Sequence, residues 1–133
     1  MAAAVAAAVA REVALIAAYD AASRSAPAAT VLIDFGSHHR EHLARLRSLG
    51  PAVQSAAAPA SPSSLSTSTP LTPAAIRALF ASIAGKERSA GDAGALACAT
   101  AGPTPFAELL AEIAGNEAQH AALLPGFPIP AAR

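Results

Sequence analysis

Six ionisable residues, Glu12, His39, His42, Glu87, Glu117 and His120, interrupt apolar helical stripes in this 133-residue chain. Core-facing helix positions recur in alternating steps of three and four. On that spacing one stripe reads Leu32, Phe35, His39, His42, Leu46, Leu49, and another Phe106, Leu110, Ile113, Glu117, His120, Leu124. Val5, Ala8, Glu12, Leu15, Tyr19, Ala22 and Ile76, Phe80, Ile83, Glu87, Ala90, Gly94, Ala97 each carry a single carboxylate. Unpaired buried charge is costly, so these groups must compensate one another or bind a cation. Carboxylate oxygen with imidazole nitrogen suits iron, manganese, zinc or copper better than calcium or magnesium. Residues three apart share a helix face, so His39/His42 and Glu117/His120 can address one ion or two adjacent ions.

Other residues fall around this set. Tyr19, two turns from Glu12 on the same face, is placed to hydrogen-bond a ligand carboxylate from outside the metal shell. Ala90, Gly91 and Gly94 offer a small floor beside Glu87, with room for an ion, water or small substrate. His38 and Glu41 lie off the stripe and read as solvated; Glu108, Glu112, Arg40, Arg45 and Arg47 read as surface charges. Without metal, the same six residues would form a buried hydrogen-bond and salt-bridge network. Both alternatives stay open.

Positioning these residues requires four helices, expected at about 2–24, 28–49, 73–101 and 105–124. Ser25-Ala26-Pro27 and Gly102-Pro103-Thr104-Pro105 make short connections, whereas the Pro/Ser/Thr-rich stretch 50–72 is a long irregular loop. Pro125, Gly126, Pro128 and Pro130 forbid further helix and leave a tail at 125–133, with Phe127 and Ile129 available to tuck against the helices. Neither half could bury both faces of its helices alone, so residues 1–133 are expected to form one domain. The fold class implied is all-α: an antiparallel four-helix bundle of two hairpins joined by a crossover. If helices two and three run parallel, the loop must retrace about 22 residues of helix, roughly 33 Å, which 23 Pro-rich residues at about 3.1 Å each span easily.

Depth supports the grouping. Glu12 and the His39/His42 pair each lie about 14 residues from the first turn, and Glu87 and the Glu117/His120 pair about 16 from the last. Each hairpin therefore brings its polar groups to one level.

Nine basic residues balance nine acidic ones, and the only basic tract runs from Arg40 to Arg47, so nucleic acid is not an expected partner. Cys98 is the single cysteine, which excludes an internal disulfide and thiolate-rich zinc or iron-sulfur sites; it reads as a small apolar residue near the end of helix three. No GxSxG elbow, P-loop or dinucleotide fingerprint is present. MAAAVAAAVA lacks a cationic flank and a cleavage region and reads as the first turns of a helix. No run is expected to reach the roughly 20 strongly apolar residues of a membrane span. An export signal removed ahead of Met1, and a homodimer, stay open.

The pattern resembles the ferritin-like superfamily, whose di-iron bundles take a Glu from each of two helices and Glu-x-x-His from each of the other two. Glu12 and Glu87 match the lone glutamates, Glu117-Ala118-Gln119-His120 matches a full Glu-x-x-His, and the Glu12 to Tyr19 spacing is similar to that of the family's first helix. More narrowly, REVALIAAYDAA, HHREHL and NEAQHAALL resemble a small ferritin-like domain of uncharacterised function from high-GC bacteria, often carried on exported proteins or lipoproteins. The resemblance implies one or two divalent ions, iron first, metal handling or oxidase/peroxidase chemistry, and a cell-envelope or exported location. One departure bears on all of this. His39 stands where a bridging glutamate is usual, and imidazole cannot bridge in the manner of a carboxylate. That leaves Glu117 as the obvious bridge, makes mononuclear or loosely coupled binding compatible with the residues, and weakens the case for oxygen activation. The alternative is a non-catalytic structural or interaction bundle of the cell envelope with a metal-free Glu/His core.

Overall fold

Two Thr-Pro pairs start two of the helices by the same local chemistry. Thr72 Oγ1 accepts from the amide of Ala75, and Thr104 Oγ1 from that of Ala107, both at 3.2 Å, while Pro73 and Pro105 occupy the first helical positions. Each threonine satisfies an otherwise orphaned amide, and each proline has no amide to lose there. Gly102 ends the first of these helices at φ 67°, ψ −177°, a backbone conformation open essentially to glycine alone.

The computed structural model describes residues 2–49 and 71–129. Within these, four helices form: α1 (Ala2–Ser25), α2 (Val31–Ser48), α3 (Pro73–Ala101) and α4 (Pro105–Leu123), followed by a 3₁₀ turn at Leu124–Gly126. No strand occurs among the described residues. The expected crossover lies, apart from Leu71 and Thr72, outside the described residues, as does the end of the tail. α2 starts at Val31 rather than near 28. Ala28 and Ala29 are taken up in the turn, where the amide of Ala29 donates to Ala26 O at 3.0 Å and both Ala26 and Ala29 are buried.

The helices pack in a bundle-like arrangement, α1 mainly on α2, α3 mainly on α4, with α1 also touching α3 and α2 touching α4. Two apolar clusters lie along it. One joins Tyr19 and Ala22 at the end of α1, Val31, Leu32 and Phe35 at the start of α2, Ile76, Phe80, Ile83 and Ala84 at the start of α3, and Leu124 just beyond α4. The other joins Val5, Ala8, Val9 and Ile16 of α1, Leu43 and Leu46 of α2, and Phe106, Leu109, Leu110 and Ile113 of α4, with Ala97 and half-buried Cys98 of α3 against it. α2 and α3 therefore begin at the same end, where α1 and α4 finish. Phe127 and Ile129 of the tail pack onto the first cluster, Phe127 edge-on to Phe35 at 5.8 Å.

Two expectations need correction. Leu49 is exposed at the C-terminal end of α2, where the stripe has run out of partners. And α1 is, by length and composition, apolar enough to cross a membrane. Its apolarity is largely alanine, and the face carrying Val5, Ala8, Glu12 and Tyr19 is buried among the other helices.

Candidate metal centre

All six stripe-breaking residues are buried: Glu12, His39, His42, Glu87, Glu117 and His120 are each 3% exposed or less. On α2, α3 and α4 they fall between the two apolar clusters, and Glu12 enters the same layer from α1. Desolvation costs several kcal/mol for a buried ion, so the hydrogen bonds among these groups decide whether the layer is tolerable.

His39 is the hub. Its Nδ1 donates to Glu12 Oε2 at 2.9 Å and its Nε2 to Glu87 Oε1 at 2.8 Å. Donating from both nitrogens requires the imidazolium. Burial alone would push that group down, but the bonds to Glu12 and Glu87 and their charges overcome it, raising His39 to about 9. Tyr19 stacks on the His39 ring with centroids 5.3 Å apart.

Glu87 Oε1 accepts three hydrogen bonds: from His39, from Tyr19 Oη at 2.5 Å, and from His120 Nδ1 at 3.1 Å. Burial pushes this carboxyl up, yet its donors pull it down to about 2. Burial and the adjacent Glu87 in turn push the Tyr19 hydroxyl above its ordinary range, so it stays a donor. Glu12 also lies below the usual carboxylate value, because His39 and His42 outweigh its desolvation. His42 Nδ1 stands 3.7 Å from Glu12 Oε2, beyond hydrogen-bond reach, so its help is electrostatic.

Glu117 behaves differently. Burial and the negative Glu12 and Glu87 raise it to about 8, so it is mainly protonated at neutral pH. Three buried atoms of the layer, Glu117 Oε2, Glu87 Oε2 and His42 Nδ1, have no hydrogen-bond partner. Leaving a buried polar atom unpaired costs about 1–3 kcal/mol.

Two sets of ligand atoms converge closely enough to hold an ion: Glu12, His39 and His42, and His39, Glu87 and His120, each with its atoms within 4.8 Å of one another. Glu117 lies outside both. The glycine floor expected to leave space beside Glu87 instead admits α4. A Cβ on Gly94 would meet Ala114 Cβ at 3.3 Å, and one on Gly91 would meet Glu117 Cβ at 3.5 Å.

Two further residues join the layer from outside. His38, though exposed, places Nδ1 3.1 Å from His120 Nε2, and Asn116 Nδ2 lies 3.1 Å from His42 Nε2. Phe35 stacks on His120 with centroids 4.0 Å apart. His38 leaves the stripe and so reads as solvated on spacing alone, but its direction on α2 faces α4. Asn116 had a signal of its own: a residue of poor helix propensity inside a helix, next to Glu117. Both line a surface cavity of about 250 Å³ with Glu41, His42, Arg45 and Glu112. Of these, Arg45 and Glu112 form a two-pronged ion pair and so link α2 to α4 rather than standing apart.

Comparison with known protein families, with curated proteins and with solved structures finds no match to this chain. Nitrogen and carboxylate donors in this mixture suit borderline divalent transition metals. The outer partners suit them too, since a ligating imidazole usually has its second nitrogen engaged, as His120 Nε2 is by His38 and His42 Nε2 by Asn116. For His42 to ligate through Nδ1, its Nε2 must carry the proton, and the Asn116 amide then turns its oxygen inward.

Proposed function

We propose that this chain is a ferritin-like metal-binding protein that holds divalent transition metal in the buried Glu/His layer, with Glu12, His39, His42, Glu87, Glu117 and His120 as ligands. The observation that carries this reading is the trio of buried, unpartnered atoms on Glu87, Glu117 and His42. A metal-free network has no use for them, whereas a cation takes up such lone pairs. Support for the antiparallel, ferritin-like arrangement comes from the shared starting end of α2 and α3, which asks for a long crossover of the kind residues 50–72 could supply.

Metal handling fits the site better than turnover. A bound iron ion would supply redox chemistry of the oxidase or peroxidase kind, but all six ligands are buried, and of them only His42 lines the cavity of about 250 Å³ between α2 and α4. Iron is favoured by the resemblance; manganese, zinc and copper share the donor preference. A cell-envelope or exported location belongs to the same proposal and rests on the resemblance alone.

A second reading has its own support. His39, Tyr19 and His120 satisfy Glu87 Oε1 three times over, and His39 also neutralises Glu12, so a metal-free structural bundle is a coherent alternative. Elemental analysis of protein purified without chelator, then titration with Fe(II), Mn(II), Zn(II) and Cu(II), separates the two. Stoichiometric binding of one of these metals is expected. Failure of all four to bind would leave the structural reading.

A further inference from the structure

We propose that His39 is a bridging ligand: its imidazole holds two divalent cations at once, Nδ1 serving one with Glu12 and His42, Nε2 the other with Glu87 and His120. This rests on the metal-binding reading and assigns the nuclearity of that site.

The two convergent ligand sets share one residue, His39. Its nitrogens face opposite carboxylates, Glu12 Oε2 at 2.9 Å and Glu87 Oε1 at 2.8 Å. A second imidazole stands beyond each: His42 Nδ1 is 3.7 Å from the Glu12 oxygen, and His120 Nδ1 is 3.1 Å from the Glu87 oxygen. The two lone pairs of an imidazole diverge in the ring plane and cannot converge on one ion. A ring with a ligand set at each nitrogen therefore serves two ions. Nor is the ring free to turn away. Tyr19 stacks on it, and His42 and His120 meet it nearly edge-on at 88° and 73°.

Charge balances on the same assignment. When cations replace the two ring protons, both protons leave to solvent and His39 becomes an imidazolate with one negative charge. With Glu12 and Glu87 the layer then carries three negative charges against two divalent ions, and loss of the Glu117 proton to solvent supplies a fourth. Compensation of this kind lowers the cost of burying the charge. The residue that departs from the family pattern thus supplies a bridge by another chemistry, one nitrogen to each ion.

Cu(II) is the probe, because it favours imidazole and carries one unpaired electron. Two copper ions joined through one imidazolate couple antiferromagnetically and lose their low-temperature electron paramagnetic resonance signal; isolated ions keep it. The full chain is loaded with Cu(II) sulfate, freed of excess, and analysed for bound copper and integrated signal. Two coppers per chain are expected, with a signal far below that of two spins. His39→Gln, checked for helix content by circular dichroism, should give a full spin for each copper it binds. Should that variant not fold, His120→Ala retains the Glu12/His39/His42 set and should bind one copper with one full spin.

Saturation of the natural chain at one copper, or two coppers with the intensity of two spins, overturns the bridge while leaving metal binding in place. So does coupling that survives in His39→Gln. Failure to bind any copper overturns the bridge and counts against the metal-binding reading as well.

Discussion

Tyr19 donates its hydroxyl to Glu87 Oε1 across the α1–α3 interface at 2.5 Å, and both side chains are wholly buried. The bond pins the carboxylate that two imidazoles also address. Tyr19→Phe removes one of three donors and leaves the ring in place, so a loss of roughly 1–3 kcal/mol in urea unfolding is expected. Metal affinity should fall by roughly 10–100-fold, as for other outer partners of ligands. Unchanged stability and affinity together would mean that Glu87 does not need this donor.

The metal-free chain should lose stability as pH rises through neutrality. Glu117 is raised from 4.5 to about 8, so its contribution is whole below about pH 4.5 and lost as pH climbs through about 8. His39 is raised from 6.5 to about 9, so its contribution is whole below about 6.5 and lost through about 9. Glu87, lowered to about 2, works oppositely: its contribution is present above about 4.5 and lost as pH falls through about 2. Stability should therefore peak in mild acid and drop most steeply between about pH 6.5 and 8, by an amount on the order of a few kcal/mol. Glu117→Gln should flatten that slope in urea titrations, and an unaltered slope would contradict the assignment to Glu117. Metal affinity should rise over the same range, because the ligands must lose protons to bind.

His38 and Asn116 each hold the outer nitrogen of an imidazole. His38 is exposed, and water can replace it, so His38→Ala should change stability by less than about 1 kcal/mol. If its partner His120 ligates metal, His38→Ala should still weaken binding by roughly 10–100-fold, and Asn116→Ala should do likewise through His42. Isothermal titration with Zn(II) reads both. Wild-type affinity in the two variants would exclude a supporting role.

Gly85 and Gly94, both inside α3, should respond to alanine with opposite sign. A Cβ at Gly85 meets nothing within 4 Å, so Gly85→Ala should stabilise by about 0.5–1 kcal/mol through lower chain entropy and better helix propensity. At Gly94 the new Cβ would stand 3.3 Å from Ala114 Cβ, which is fixed to the α4 backbone. Gly94→Ala should therefore destabilise by about 1–3 kcal/mol. Thermal melts of the two variants moving in the same direction would mean that α3 and α4 are not in such close contact.

The apolar core can be tested at Leu110, buried in the second cluster. Leu110→Ala should cost about 2–5 kcal/mol in chemical unfolding. A smaller loss would show that α4 collapses into the space.

Much of the fold is legible along the chain because it rests on local rules. Thr72-Pro73 and Thr104-Pro105 mark their helix starts by chemistry contained within four residues, and the three-four spacing picks out the buried face of every helix. The same spacing exposes the six polar residues, since a carboxylate in a run such as Ile76, Phe80, Ile83 is an anomaly by residue type and position alone. Their common depth follows from counting residues back to each turn.

What the sequence by itself determined is thus which residues turn inward and at what height. Only the tertiary structure decided how they pair. Helical period fixes direction to within a sector of about 100° and says nothing of which neighbouring helix fills it. It could not show that His38 faces α4, that the α3 glycines admit α4 instead of leaving space, or that Glu117 stands apart from both ligand sets. Nor could it show that the two nitrogens of His39 point to carboxylates on different helices, because ring orientation is set by Tyr19, His42 and His120 together. Such contacts join residues up to 82 positions apart and arise only when all four helices close on one layer.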